Sequence, residues 1–139
     1  MDAQGATHLE AWGIAILRVV VGIVFCMHGG QKLFVMGFAK VAGFMGQMGI
    51  PAPMLAAVLV TAVEFVGGLA LLLGLFTRWV ALPLAFDMLV AILAVHGKAG
   101  FFLPNGFEFA LTLLAASLVL AILGSGEASV DSLLRGRKV

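Results

Sequence analysis

The sequence predicts an all-α integral membrane protein, a four-helix bundle with a short interfacial helix between spans one and two. Three observations predict it. Hydrophobic residues make up 63% of the chain and charged residues 11%, whereas a soluble domain carries about 25% charged residues. Eight basic and seven acidic side chains cannot cover the surface of a soluble chain of 139 residues. Mean hydropathy is +1.17, and four apolar runs lie within or near the roughly 17–25 residues that a membrane-crossing helix needs. The length fits one domain. A soluble enzyme is excluded.

Taken in order, residues 1–10 form a short N-terminal tail. It holds Asp2 and Glu10 and no Lys or Arg, so the positive n-region of a cleaved signal peptide is missing. The membrane domain is expected over 11–124, with span one from Ala11 to Phe34. The stretch FVMGFAKVAGFMGQMGIPAP (34–53) follows, and its apolar residues with Lys40 and Gln47 predict an interfacial amphipathic helix over 36–48. Gly49 and the Pro51/Pro53 pair should end it. Span two runs from Met54 to Phe76. Thr77-Arg78 is a tight turn, so span three, Trp79 to Val95, returns antiparallel. The loop HGKAGFFLPNG carries Gly, Pro and Asn, and span four runs from Phe107 to Leu123. Residues 125–139 form a polar C-terminal tail, expected to be mobile at its end.

Net charge of +1 supplies no basic field for nucleic acid. Cys26 is the single cysteine, so dithiol chemistry is not carried by this chain alone. Four spans put both termini on one side, with Arg78, Arg135, Arg137 and Lys138. The other side collects Lys32, Lys40 and Lys98. The excess of one basic residue favours cytoplasmic termini in a bacterial-type inner membrane.

The informative residues are those a membrane helix should avoid. Arg18, Glu64 and Asp87 each cost about 2.5–3.5 kcal/mol near the bilayer centre unless partnered. At 1.5 Å per residue they lie roughly 10, 16 and 12 Å from the terminal side. Arg18 and Glu64 are therefore expected to form a buried ion pair. Two carboxylates against one guanidinium leave one carboxylate to stay protonated or to borrow another cation. Arg18, Gly22, Gly29 and Lys32 share one stripe of span one, and Thr61, Glu64, Gly67 and Gly68 one stripe of span two. The glycines suit close helix packing. Asp87 and His96 are nine residues apart and fall on opposite faces of a regular helix. Pro83 or an early helix end near Val95 could reconcile them; otherwise Asp87 belongs to a subunit contact.

A second polar tier gathers toward the opposite surface. His28, Lys32, His96 and Glu108 form a candidate polar site around one mouth, with Lys98 and Asn105 nearby. The competing structural readings are a register-fixing ion pair, histidines bonded to loop carbonyls, and lysines snorkelling to headgroups. Two histidines without a third His or Cys ligand predict no metal. No catalytic residue is assigned.

The runs LRVVVGIVFCMHGGQKLF (17–34), MGIPAP (48–53), EFVGGLALLLGLFTR (64–78), DMLVAILAVHGKAGF (87–101) and NGFEFAL (105–111) resemble the DoxX family of small four-helix membrane proteins. The resemblance covers about residues 14–132 and rests on the order and spacing of these runs together. It implies a link to membrane redox complexes, since the family takes its name from a subunit of a thiosulfate:quinone oxidoreductase. The family's recurrent polar positions match Arg18, His28, Lys32, Glu64, Arg78, His96 and Glu108. Asp87 stands where the family pattern leads one to expect an apolar residue.

The expected function is that of an accessory subunit of a membrane-associated redox system touching quinone or a small sulfur species, not a stand-alone enzyme. The sequence carries no haem, flavin or iron–sulfur signature, so a partner protein would supply the electrons. The alternatives are a small-molecule or proton transporter, which with four spans would need a homo-oligomer, and a structural or assembly factor. The expected partners are the lipid bilayer, redox-complex proteins and a second copy of the chain. Quinone is the cofactor considered.

Overall fold

The computed structural model describes residues 3–136, with side chains from residue 7 onward; Asp2, Arg137 and Lys138 lie outside them. Every element is helical: α1 (Ala3–Gly30), α2 (Phe38–Gln47), α3 (Pro53–Leu73), α4 (Thr77–Val90), α5 (Glu108–Leu123) and α6 (Val130–Gly136). Wider π-helical turns extend α1 through Gln31–Met36 and α4 through Ala91–His96. Three helical stretches are long and apolar enough to cross a membrane, at Thr7–Met36, Pro53–Leu73 and Thr77–Ala99. The fourth, Glu108–Leu123, is apolar but shorter. The expected all-α membrane bundle is the architecture found.

Local chemistry explains the boundaries. Pro53 occupies the first turn of α3, where its missing N–H costs nothing. Gly74 ends that helix at φ 65°, with Leu75 N–H donating to Ala70 O and Gly74 N–H to Leu71 O. Gly49 closes α2 the same way at φ 75°. Both are left-handed caps that a Cβ would strain. The interfacial α2 therefore forms where the apolar pattern placed it, with Val41 and Ala42 buried against Ala57 of α3.

Packing is closest between α1 and α3. A Cβ on Gly29 would overlap the Phe65 backbone, and one on Gly68 the Cys26 backbone. In lipid, where apolar side chains gain little by leaving the solvent, such close approach is what holds two helices together. The main core joins Val21, Phe25, Leu71, Leu84, Leu113 and Leu120 from four helices. Large apolar side chains such as Ile16, Val66, Leu93 and Ile122 point outward, which suits a hydrocarbon surround.

The two ends differ from the expected domain limits. The N-terminal tail is helical from Ala3, because Ala, Gln, Leu and Glu continue α1 with no proline and outweigh Gly5, and His8 stacks on Trp12 one turn later. The C-terminal tail, expected to be polar and mobile, folds back onto the bundle through residue 136. Ser125 and Ser129 are buried. Asp131 accepts hydrogen bonds from Phe76 N–H at 2.8 Å and Thr77 N–H at 2.9 Å. Its carboxylate thus caps α4 from 54 residues away, replacing the side-chain cap that Phe76 cannot supply.

Candidate functional site

Span one carries one buried and one half-buried cation, with different fates. Arg18 is 1% exposed, and its guanidinium donates to Ser125 O at 2.6 Å, Ala128 O at 2.9 Å and Glu127 O at 3.3 Å. The expected Arg18–Glu64 pair is therefore corrected. Two facts of geometry redirect Arg18: α3 ends at Gly74, directly beside the guanidinium, and the returning C-terminal loop presents three carbonyls there. A planar, multi-donor group is well suited to such a set.

Glu64 instead takes Lys32. Lys32 Nζ donates to Glu64 Oε2 in a partly buried salt bridge, with the Glu64 side chain 5% exposed. Lys32 lies on the same stripe of span one as Gly22 and Gly29, which pack against α3, and its flexible stem carries the ammonium to Glu64. Lys32 thus belongs to the intramembrane ion pair as well as to the polar tier.

These groups line a cavity of about 710 Å³ in the half of the bundle away from the termini. His28, Lys32, Glu64, Asp87 and His96 supply its polar wall, and apolar side chains supply most of the rest, among them Phe25, Val63, Phe86, Met88 and Leu113. Helix α2 contributes Val41, Phe44 and Met45 as a roof. Phe101 and Phe102 do not close it; both are exposed outside the lining.

Asp87, left aside on helical phase, is part of this wall. Its Oδ2 is buried without a hydrogen-bond partner, and Glu64 and Lys32 lie within electrostatic reach. The π-helical turn over Ala91–His96 explains the discrepancy. An i→i+5 turn takes up an extra residue, so His96 rotates back toward the side that Asp87 faces. The signal available in the sequence was depth, which already set Asp87 near Glu64.

The histidines are fixed by backbone carbonyls. His28 Nδ1 lies 2.9 Å from Val24 O in its own helix, and its ring tilts against Phe109 with centroids 6.0 Å apart. His96 Nδ1 lies 2.9 Å from Asn105 O and so holds the loop before α5. Glu108 does not join the cavity. Its Oε1 accepts the Leu103 N–H at 2.7 Å, because the loop folds over the helix start and its amide is the nearest donor. Of the four expected mouth residues, three line the cavity and Glu108 caps the loop beside it.

The chain is thus an apolar helical bundle with a large cavity that is polar on one wall. The DoxX family model matches residues 13–97. The chain belongs to the DoxX family. It is 39% identical over 127 residues to the inner membrane protein YqjF of Escherichia coli (strain K12), covering 91% of this chain and 95% of YqjF. It is 35% identical over 127 residues to CatD of Bacillus subtilis (strain 168), which carries the provisional name of an oxidoreductase, covering 91% and 90%. The inner membrane protein YphA of E. coli is 33% identical over 126 residues, covering 85% and 87%. No solved structure gives a significant match. This DoxX protein is accordingly a membrane protein whose relatives span nearly the same length.

Proposed function

We propose that this DoxX protein is an accessory membrane subunit of a redox system and that its cavity holds the ring of a quinone-type molecule. The single observation that carries the reading is the cavity itself: about 710 Å³, apolar on most sides, with His28, Lys32, Glu64, Asp87 and His96 on one wall. A quinone needs an apolar slot for its ring and tail and polar groups at its two oxygens. Ionisable side chains inside a membrane segment mark sites where protons or polar groups are handled. Two carboxylates beside one ammonium form a wall that can take up a proton, which suits a molecule whose oxidation state changes with protonation. The same two carboxylates disfavour a small sulfur oxyanion, so quinone is preferred over a sulfur species. CatD's provisional oxidoreductase name agrees with the reading. Electrons would pass to or from a partner protein, with the chain supplying the site.

The relatives YqjF and YphA support an inner-membrane location. With Lys32 drawn inward by Glu64, the charge rule strengthens for cytoplasmic termini, since four basic residues then face two. The cavity would lie in the outer half. The test is binding of a short-tailed quinone or quinol to the purified protein in nanodiscs. Saturable binding lost in the double variant Lys32→Met with Glu64→Leu is expected. Absence of binding in the folded wild type, with quinone-linked activity unchanged on deletion, overturns the proposal.

A further inference from the structure

The end of the bundle that carries the C-terminal segment turns its guanidiniums in two directions. Arg18 is buried and spent on carbonyls. Arg78 and Arg135 are exposed. Arg78 Nη2 donates to Leu123 O at 3.4 Å and Arg135 Nη2 to Ser125 Oγ at 3.2 Å, so the two side chains flank the same turn of chain. The cap on α4 brings them there. Asp131 binds the amides of Phe76 and Thr77, immediately before Arg78. Arg135 lies one turn after Asp131 on the same face of α6, its Nε donating to Asp131 O at 3.3 Å.

A guanidinium has five N–H donors. Among the described residues Arg78 makes one hydrogen bond and Arg135 two, and neither forms an ion pair. The Asp131 carboxylate is occupied by its two amides, and Glu127 shares a hollow with Arg135 without pairing with it. Here α3 ends, α4 begins and α5 ends, so this is the level at which the bundle leaves the hydrocarbon. Exposed apolar side chains frame it: Phe76, Trp79 (74% exposed), Leu133 (71%) and Leu134. The frame continues into the outward-facing Leu73 and Ile122 of the spans. Aromatic rings, leucines and arginines placed together in this way suit a membrane–water interface.

We infer that Arg78 and Arg135 bind the phosphate headgroup of an anionic phospholipid, whose acyl chains run down the apolar surface beside Trp79. Planar guanidiniums present paired donors to phosphate oxygens, and positive charge at the membrane surface favours an anionic headgroup over a zwitterionic one. The apolar frame fixes the source, because a lipid gains from it and a soluble phosphate does not. The surface lies at the opposite end of the bundle from the cavity and does not depend on the quinone reading.

The two tryptophans, Trp12 and Trp79, allow a direct test, since Trp79 adjoins Arg78. The full chain with Trp12→Phe is reconstituted in vesicles of dioleoyl phosphatidylcholine with a minor fraction of dibrominated phosphatidylglycerol or, in parallel, dibrominated phosphatidylcholine. Bromine quenching of Trp79 reports which lipid sits beside it. Phosphatidylglycerol should quench as though enriched about threefold or more over its mole fraction, brominated phosphatidylcholine should show no enrichment, and added salt should weaken the preference. Arg78→Gln with Arg135→Gln should abolish the enrichment at an unfolding midpoint near wild type, whereas Lys at both positions should keep most of it. Glycerol phosphate at matched ionic strength should leave the quenching unchanged. No enrichment in the folded Trp12→Phe chain, enrichment that survives in the glutamine double variant, or displacement by glycerol phosphate overturns the inference. Should the glutamine variant fail to fold, enrichment in the parent chain and its salt dependence decide.

Discussion

The two halves of the bundle treat intramembrane charge in opposite ways. On the terminal side, Arg18 donates to three carbonyls, Asp131 accepts from two amides, and Ser129 Oγ donates to Ser125 Oγ at 2.9 Å. On the other side, Lys32 pairs with Glu64 near Asp87, and His28 and His96 line the same large cavity. Charge inside a membrane is often read as function. Here the terminal half is a joint that fastens the C-terminal segment, and the other half holds the cavity proposed as the site. What separates them is the large, mostly apolar cavity beside the polar groups of the second half, since buried polar atoms without a partner occur in both, Arg18 Nε and Thr77 Oγ1 on one side and Asp87 Oδ2 on the other.

The sharpest way to break this contrast is Arg18→Met. It leaves three inward-facing carbonyls without their donor, and the expected loss is about 2–4 kcal/mol of stability. Unfolding titration in detergent would measure it, and limited proteolysis should release the segment from residue 125 onward. Per folded molecule, quinone affinity should stay within twofold of wild type. A large affinity loss at unchanged stability would make Arg18 part of the site.

The cavity half should answer differently. Lys32→Met alone strands Glu64, while Lys32→Met with Glu64→Leu removes both charges, and replacing a buried pair by apolar groups is often neutral. The double variant should therefore recover most of the stability lost by Lys32→Met, about 1–3 kcal/mol, without recovering ligand binding. Recovery of both would make the pair structural. A smaller effect belongs to Asp131→Ala, which uncaps α4 and should cost about 1 kcal/mol, read as a lowered unfolding midpoint with unaltered binding.

Much of the fold was legible because a bilayer imposes a simple demand, about 20 apolar residues per crossing. The apolar runs at 54–76 and 107–123, the interfacial α2 and its Gly49 stop all follow from composition and caps. The ion pairing was not legible. Depth along isolated helices placed Arg18 near Glu64, but it ignored the carbonyls of a segment that returns from beyond residue 124. The cap on α4 was hidden for the same reason, since Asp131 is remote in sequence from the amides it serves. Asp87 was obscured by assuming a regular 3.6-residue period across Ala91–His96, where the helix widens. His28, Lys32 and His96 were found because polar side chains in apolar runs stand out one by one. Glu108 stood out equally and serves the loop, which its position alone could not distinguish.

The claim that the half away from the termini is the site is tested most directly by locating a bound ring. An azido-substituted quinone, photoactivated in nanodiscs on the full chain, can be mapped to peptides by mass spectrometry. The label should fall within residues 56–64 or 83–96, which line the cavity from α3 and α4, and should be displaced by excess unlabelled quinone. Displaceable label within residues 121–136, or label on the outward faces that excess quinone does not displace, would contradict the division of the bundle into a joint and a site.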